Sequence, residues 1–252
     1  MYRASAFAAL TATAGAAVLV RMKGARTVEA SAATRDKVTR AWSEALLRLF
    51  DITLIVSGQA GQAGIGRGRG RVVVANHRSI IDIGVMLSLF GGAVLSRAEL
   101  AQWPILGKAA KSAGTIFVER GDKKSGAMAI HAMVDRLDLH DTICLFPEGT
   151  TFVDDEVRPF KHGAFVAANE AHVPIVPVGI VYPLDSDAAY GDETFLEHLE
   201  RLAGARRTRV WVEIGAPLER MENESTSDFG ERCRLEVERL VGIGRAKQLA
   251  AA

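Results

Sequence analysis

Arg71-Val72-Val73-Val74-Ala75-Asn76-His77-Arg78-Ser79-Ile80-Ile81-Asp82 is the stretch on which the fold turns. Its first five residues, rich in valine, read as a β-strand. Ser79–Phe90 follows with a helical pattern. Between strand and helix stand a histidine, an arginine and a carboxylate, at the place where a parallel sheet gathers its functional groups, the carboxyl end of a strand.

Working outward, the same alternation recurs. Ile52–Val56, Ala93–Leu95, Thr115–Val118, Thr142–Phe146, Ile175–Val181 and Arg209–Ile214 are further candidate strands, rich in Val and Ile. Ser125–Leu139 carries Met128, Met133, Val134 and Leu137 on one helical side. Glu193–Leu202 reads as a helix with Gly204 as its C-cap, and Asp228–Val241 as a last helix before an Ala-rich tail. Helices between strands predict an α/β domain on a largely parallel sheet. No domain boundary is visible after Asp51, which predicts one catalytic domain over 51–252 preceded by N-terminal helices over 1–50.

Those first fifty residues read differently. Ala4–Val20 is uncharged but Ala-rich, and short for the roughly 20 apolar residues of a spanning helix. A membrane anchor is the leading reading, ahead of a surface-lying or core helix and of a cleaved signal. Arg21, Lys23 and Arg26 outnumber Arg3, which would keep the remainder on the cytoplasmic face of the membrane. Arg35–Phe50 is amphipathic, with Val38, Trp42, Ala45, Leu46 and Leu49 at helical spacing. It either packs on the domain or lies in the interface, with Trp42 at headgroup level and Arg35, Lys37 and Arg40 toward anionic lipid. The glycine-rich Gly58–Gly70, with Arg67, Arg69 and Arg71, reads as a flexible hairpin loop that touches anionic headgroups.

Composition narrows the classes. Lys plus Arg number 31 against 30 Asp plus Glu, so charge gives no case for nucleic acid. Cys144 and Cys233 are the only cysteines, which excludes a disulfide framework and a C-x-x-C zinc site. A Gly-x-Ser-x-Gly elbow, phosphate-loop spacing around Gly107-Lys108 and a dinucleotide glycine pattern are all missing.

His77 is the natural general base, because an ordinary imidazole accepts a hydroxyl proton near neutrality. A carboxylate would fix its tautomer and stabilise the imidazolium. Five residues apart on one helix, His77 and Asp82 would point about 140° apart. They meet only if His77 precedes the first turn and the helix starts near Ser79, a good N-cap. Ser79-x-x-Asp82 is also a capping-box pattern that needs no catalysis.

Farther along come Gly114-Thr115-Ile116-Phe117-Val118-Glu119-Arg120, Phe146-Pro147-Glu148-Gly149-Thr150, and Val173-Pro174-Ile175-Val176-Pro177-Val178. With Asn76-His77-x4-Asp82 these four blocks, in this order, resemble the phospholipid and glycerol-phosphate acyltransferases, typified by 1-acyl-glycerol-3-phosphate acyltransferase. The likeness spans Asn76 to Val178 and extends weakly through Gly215-Ala216-Pro217-Leu218.

The resemblance implies a mixed, mostly parallel sheet of about seven strands flanked by helices. It implies that His77 deprotonates the acceptor hydroxyl with Asp82 orienting it, and that Arg120 binds the acceptor phosphate. Glu148, with Gly149 and Thr150 shaping the turn, would help hold the acceptor, and Lys161 would be a second cation there. No metal or organic cofactor is implied. Acyl-CoA or acyl carrier protein is the donor, and a membrane lysolipid is the acceptor. Backbone N–H groups near Ser79 are the candidate oxyanion donors.

Three departures bear on the acceptor: Arg97 where lysine is common, Glu119 beside Arg120, and Thr151 where arginine is frequent. A lyso-ornithine lipid or glycerol 3-phosphate is the alternative acceptor. Readings of another class are a metal-assisted hydrolase on His77, Asp82 and Glu148, which lacks a dense His/Asp cluster, and a non-catalytic lipid-binding relative. His131, His140, His162, His172 and His198 read as structural or surface residues.

Overall fold

In the computed structural model, which describes residues 2–22, 27–59, 61, 69–205 and 207–251, seven strands form one sheet in the order β1-β7-β6-β2-β5-β3-β4. They are β1 Ile52–Gly58, β2 Arg71–Ala75, β3 Ala93–Arg97, β4 Ile116–Val118, β5 Thr142–Leu145, β6 Ile175–Val181 and β7 Thr208–Ile214. All neighbours run parallel except β6 and β7. Every strand anticipated from the Val and Ile runs is present.

The centre of the sheet is dry on both faces, because every residue of β2 and β6 is buried. Alternation along a strand sends neighbouring side chains to opposite faces. Val73 and Ala75 join one layer with Leu46, Val85 and Phe90. Val72 and Val74 join the other with Met133, Phe165 and Phe229. Two covered faces explain why these strands read as unbroken apolar runs.

The helices are α1 Tyr2–Met22, α2 Val28–Leu49, α3 Ile81–Phe90, α4 Leu106–Ser112, α5 Lys123–Asp138, α6 Gly163–Glu170, α7 Phe195–Gly204 and α8 Thr226–Ala250. Short α4 and α6 escaped the sequence reading; α6 is largely buried, so it shows no polar face to set a period. The Ala-rich tail continues α8 as helix instead of following it. Gly204 is the last residue of α7, with extended Ala205 as the C-cap. At its other end α7 is closed by a reciprocal capping box between Thr194 and Glu197.

α1 and α2 pack against each other, α1 also on α4 and α7, and α2 on α3. Phe7, Leu46, Leu47 and Phe50 share a core with β2. Trp42 Nε1 donates to Thr11 Oγ1 at 3.2 Å, and Arg40 Nη1 donates to the carbonyl of Ser88 at 2.9 Å, near the C-terminus of α3. Trp42 and Arg40 therefore face the protein, as in the packed reading of α2. Lys37 is exposed. Among the described residues α1 is the one helix long and apolar enough to cross a membrane, and Leu19 and Val20 are exposed on it. Such an apolar N-terminal helix points to membrane association.

The Gly58–Gly70 connection is not a hairpin. β1 pairs with β7 at the sheet edge, whereas β2 pairs with β5 and β6, so the segment crosses between non-adjacent strands. Arg69 pairs with Glu219 at 2.8 Å, and buried Arg71 lies over the Phe90 ring. Both guanidinium groups are thus engaged within the protein. Lys23, Arg26 and Arg67 lie outside the described residues.

Candidate active site

The site grows from one edge of the sheet. Tyr182, Asn76 and Phe146 lie one residue beyond the carboxyl ends of β6, β2 and β5, Arg97 closes β3, and Arg120 follows β4 by two. Since these five strands are parallel neighbours, a linear sequence spread over more than a hundred residues is collected along a single rim. Asn76 fixes that rim at its centre. Its side chain takes the N–H of Ile180 at 2.8 Å and donates to the Ile180 carbonyl at 2.9 Å, standing in for a ladder pair.

His77 and Asp82 meet. Nδ1 of His77 is 2.9 Å from Oδ2 of Asp82. The helix begins at Ile81, two residues later than the proposed Ser79 cap, and Ile80 at the cap position makes no side-chain bond. That later start frees 77–80 to turn back, so the two side chains converge despite their spacing.

The capping and catalytic alternatives then prove compatible. Asp82 Oδ2 also accepts the N–H groups of Arg78 at 2.7 Å and Ser79 at 2.8 Å, while Oδ1 accepts the hydroxyl of Tyr182 at 2.5 Å. Asp82 is wholly buried and His77 half-buried. A buried carboxylate without donors would be costly, and here both oxygens are satisfied.

The imidazole is held on three further sides. Its plane stacks on Phe146, with ring centroids 4.0 Å apart and planes 10° from parallel. Its backbone N–H donates to Glu148 Oε2 at 2.7 Å, and its carbonyl accepts from Phe152 N at 2.9 Å. Among the described residues Nε2 has no protein partner, and His77 lines the cavity. With the Nδ1 proton held by Asp82, Nε2 carries the lone pair that can accept a proton.

Glu148 sits beneath this arrangement. Its other oxygen, Oε1, accepts the N–H of Arg158 at 2.9 Å. It is buried and does not line the cavity, in contrast to its neighbours Gly149 and Thr150. Burial raises its pKa to about 7, against the two backbone N–H groups that lower it. Gly149 has φ +78°, a backbone that favours glycine, and the Lys161 side chain lies where a Cβ would project.

Arg120, Lys161 and Arg97 form a separate group of cations on the cavity wall. Burial, then the charge of Arg97, lowers the Arg120 pKa. Lys161 is lowered by burial, then by Arg120 and Arg97. Arg97 has a loose pair with Glu99 at 3.9 Å. No salt bridge compensates Arg120 or Lys161 among the described residues. Neighbouring cations at a cavity create a positive potential that attracts anions.

The cavity itself measures about 1020 Å³. Its wall also carries Lys123 and the carboxylates Glu99, Glu119 and Asp122, and is otherwise mainly apolar, with Phe7 and Val18 of α1, Trp42 and Leu46 of α2, and Trp103 and Leu106. α1 therefore helps to enclose a space large enough for a fatty chain. Gly15 of α1 lies so close to α4 that an added Cβ would stand 3.0 Å from Ala109 Cα.

Residues Arg97 and Tyr182 were not among the site residues drawn from sequence. Arg97 carried a signal, as the basic residue in the lysine position; nothing local marks Tyr182. Of the N–H groups near Ser79, three have acceptors within the protein: Arg78 and Ser79 donate to Asp82, and Ile81 to Ser79 Oγ. His198, read as structural or surface, is fully buried, with Nδ1 2.9 Å from Glu193 Oε1. Among the described residues no three His, Cys, Asp or Glu side chains gather as a metal-ligand set.

Comparison with known proteins gives the same picture. A family model described as Acyltransferase matches residues 59–181. A lyso-ornithine lipid O-acyltransferase of Pseudomonas aeruginosa is 33% identical over 189 residues, covering 73% of this chain and 70% of that protein. A 1-acyl-sn-glycerol-3-phosphate acyltransferase of Neisseria gonorrhoeae is 25% identical over 196 residues, covering 76% and 75%. The crystal structure of the 1-acyl-sn-glycerophosphate acyltransferase PlsC from Thermotoga maritima superimposes with a TM-score of 0.72. It has 23% identity and covers 94% of this chain and 90% of that one, a match of fold.

Proposed function

Since the chain belongs to the lysophospholipid acyltransferase family of O-acyltransferases, we propose that it acylates the free hydroxyl of 1-acyl-glycerol-3-phosphate, giving phosphatidic acid. The observation that carries this choice of acceptor is the group of Arg97, Arg120 and Lys161 on the wall of the cavity that holds His77. Three positive charges, of which Arg120 and Lys161 have no salt bridge among the described residues, favour a phosphate over a neutral or zwitterionic headgroup, and a guanidinium can meet two phosphate oxygens at once.

In this reading Asp82 keeps the proton of His77 on Nδ1, and Nε2 takes the acceptor's hydroxyl proton. The oxygen forms its bond to the thioester carbonyl carbon, the carbon–sulfur bond breaks, and the imidazolium returns its proton to the leaving thiolate. General-base help of this kind is worth about 10²–10⁴-fold. Glu148 sets the backbone of His77 from below, Gly149 and Thr150 shape the turn, and Lys161 reaches over it. The fatty chain occupies the apolar part of the cavity. The donor is acyl-CoA or acyl carrier protein, and no metal or organic cofactor takes part. Residues 1–50 attach the catalytic domain, 51–252, to the cytoplasmic face of the membrane.

A second acceptor has its own support. Glu99 and Glu119 share the cavity wall with the cations, an arrangement suited to the ammonium and carboxylate of a lyso-ornithine lipid. The test is transfer of labelled acyl groups, from acyl-CoA and from acyl carrier protein, to lysophosphatidic acid, glycerol 3-phosphate and lyso-ornithine lipid. The expected result is the highest kcat/KM on lysophosphatidic acid. Turnover confined to lyso-ornithine lipid would keep the chemistry and overturn the acceptor.

A further inference from the structure

Behind the His77–Asp82 pair lie buried polar groups that the reaction as written does not use. Tyr182, one residue beyond β6, is fully buried, and its hydroxyl donates to Asp82 Oδ1 at 2.5 Å. Ser79 Oγ lies 3.4 Å from Nε2 of His198. On the far side of that ring, Nδ1 is 2.9 Å from both Glu193 Oε1 and Arg201 Nη2, and Arg201 also bonds Glu193. A neutral His198 that donates from Nδ1 to the Glu193 carboxylate accepts the Ser79 hydroxyl at Nε2.

Ser79, His198 and Glu193 stand in the order of a nucleophilic triad. Ser79, however, is wholly buried and lines no part of the cavity, so no substrate carbonyl reaches it.

We propose that Tyr182 is a positioning residue that tunes His77 through Asp82. This rests on the reading of His77 as the base. The physical reason is the division of the Asp82 charge. Oδ2 serves His77 and two backbone N–H groups, and Oδ1 serves Tyr182 alone. A donor on Oδ1 draws negative charge away from the oxygen that faces the imidazole. It thereby weakens the stabilisation of imidazolium. Loss of the donor leaves more charge facing His77, so the base holds its proton to higher pH.

The other charged groups around the imidazole are Glu148 under its backbone, Arg78 on the next residue, which is paired with Asp155, and the cations of the cavity wall. None of them is touched by removing the Tyr182 hydroxyl. Burial pushes the pKa of His198 down, so above that value it stays neutral and adds no charge of its own.

The experiment compares kcat/KM from pH 5 to 9 for the full chain, Tyr182→Phe and His77→Ala, with acceptor KM and circular dichroism for each. Phenylalanine fills the same space and removes only the donor. The expected result is an acidic limb moved up by about half to one pH unit. At pH values below the limb this is a three- to tenfold loss. The deficit closes toward pH 9, with acceptor KM and secondary structure retained. A loss equal at every pH would mark a merely structural role and overturn the proposal, and so would an unmoved profile. If His77→Ala kept its activity, the reading of His77 as the base would fall first. An inactive His77→Ala beside an unmoved Tyr182→Phe profile would overturn the tuning role alone.

Discussion

Two halves of the same rim are built on opposite principles. Around β6, β2 and β5, polar groups are buried and satisfied: Asp82 accepts from four donors, Glu148 from two backbone N–H groups, and Asn76 bridges to Ile180. Around β3 and β4, Arg97, Arg120 and Lys161 stand exposed at the cavity with like charges for neighbours. The first half is finished before substrate arrives, as preorganised proton transfer requires. On the proposed reading the second is completed by the acceptor's phosphate, so that the chemistry rests on fixed bonds and the choice of acceptor on charge left open.

The comparison is sharpened most strongly at the open half. Arg120→Ala and Arg97→Ala should each raise the acceptor KM about ten- to hundredfold with kcat nearly kept, because they remove binding shared by ground and transition states. The loss should shrink in high salt. A fall in kcat with unchanged KM in both variants would break the division.

A smaller effect belongs to the closed half. The Glu148 pKa is raised to about 7 from an unfolded value of 4.5. The folded chain therefore keeps a proton that the unfolded chain releases between these values, and stability falls as pH rises from 4.5 through about 7. The slope is at most about 1.4 kcal/mol per pH unit. In urea unfolding between pH 4.5 and 8, Glu148→Gln should lack that part of the slope. Parallel pH dependences for variant and wild type would mean that the Glu148 carboxyl is not perturbed.

The same division explains what was legible in the sequence. The seven strands announced themselves because the sheet is covered on both sides and its strands are continuous apolar runs. His77 and Asp82 were legible as a pair, since both lie within one turn after a strand. Their geometry was not: the helix starts at Ile81, and Asp82 takes up the N–H groups of Arg78 and Ser79 in the turn before it. Tyr182 lies a hundred residues from its partner and is joined to it only through the parallel pairing of β2 and β6. The crossover from β1 to β2 was misread as a hairpin because local sequence does not report that β7 and β6 lie between β1 and β2. Helices α4 and α6, seven and eight residues long, are too short to show a period, and α6 is also largely small or apolar. Arg97 was noticed as a departure, but its place beside Arg120 depends on β3 and β4 being neighbours.

Central to all of this is that His77 is the base, with the acceptor held by other groups. The most direct measurement is kcat for His77→Ala at saturating acyl donor and lysophosphatidic acid, with equilibrium binding of the acceptor measured on the same preparation. The account predicts a kcat lowered by about 10²–10⁴-fold and acceptor affinity within a few fold of wild type. A variant that turns over within tenfold of wild type, while folded and binding, would contradict it.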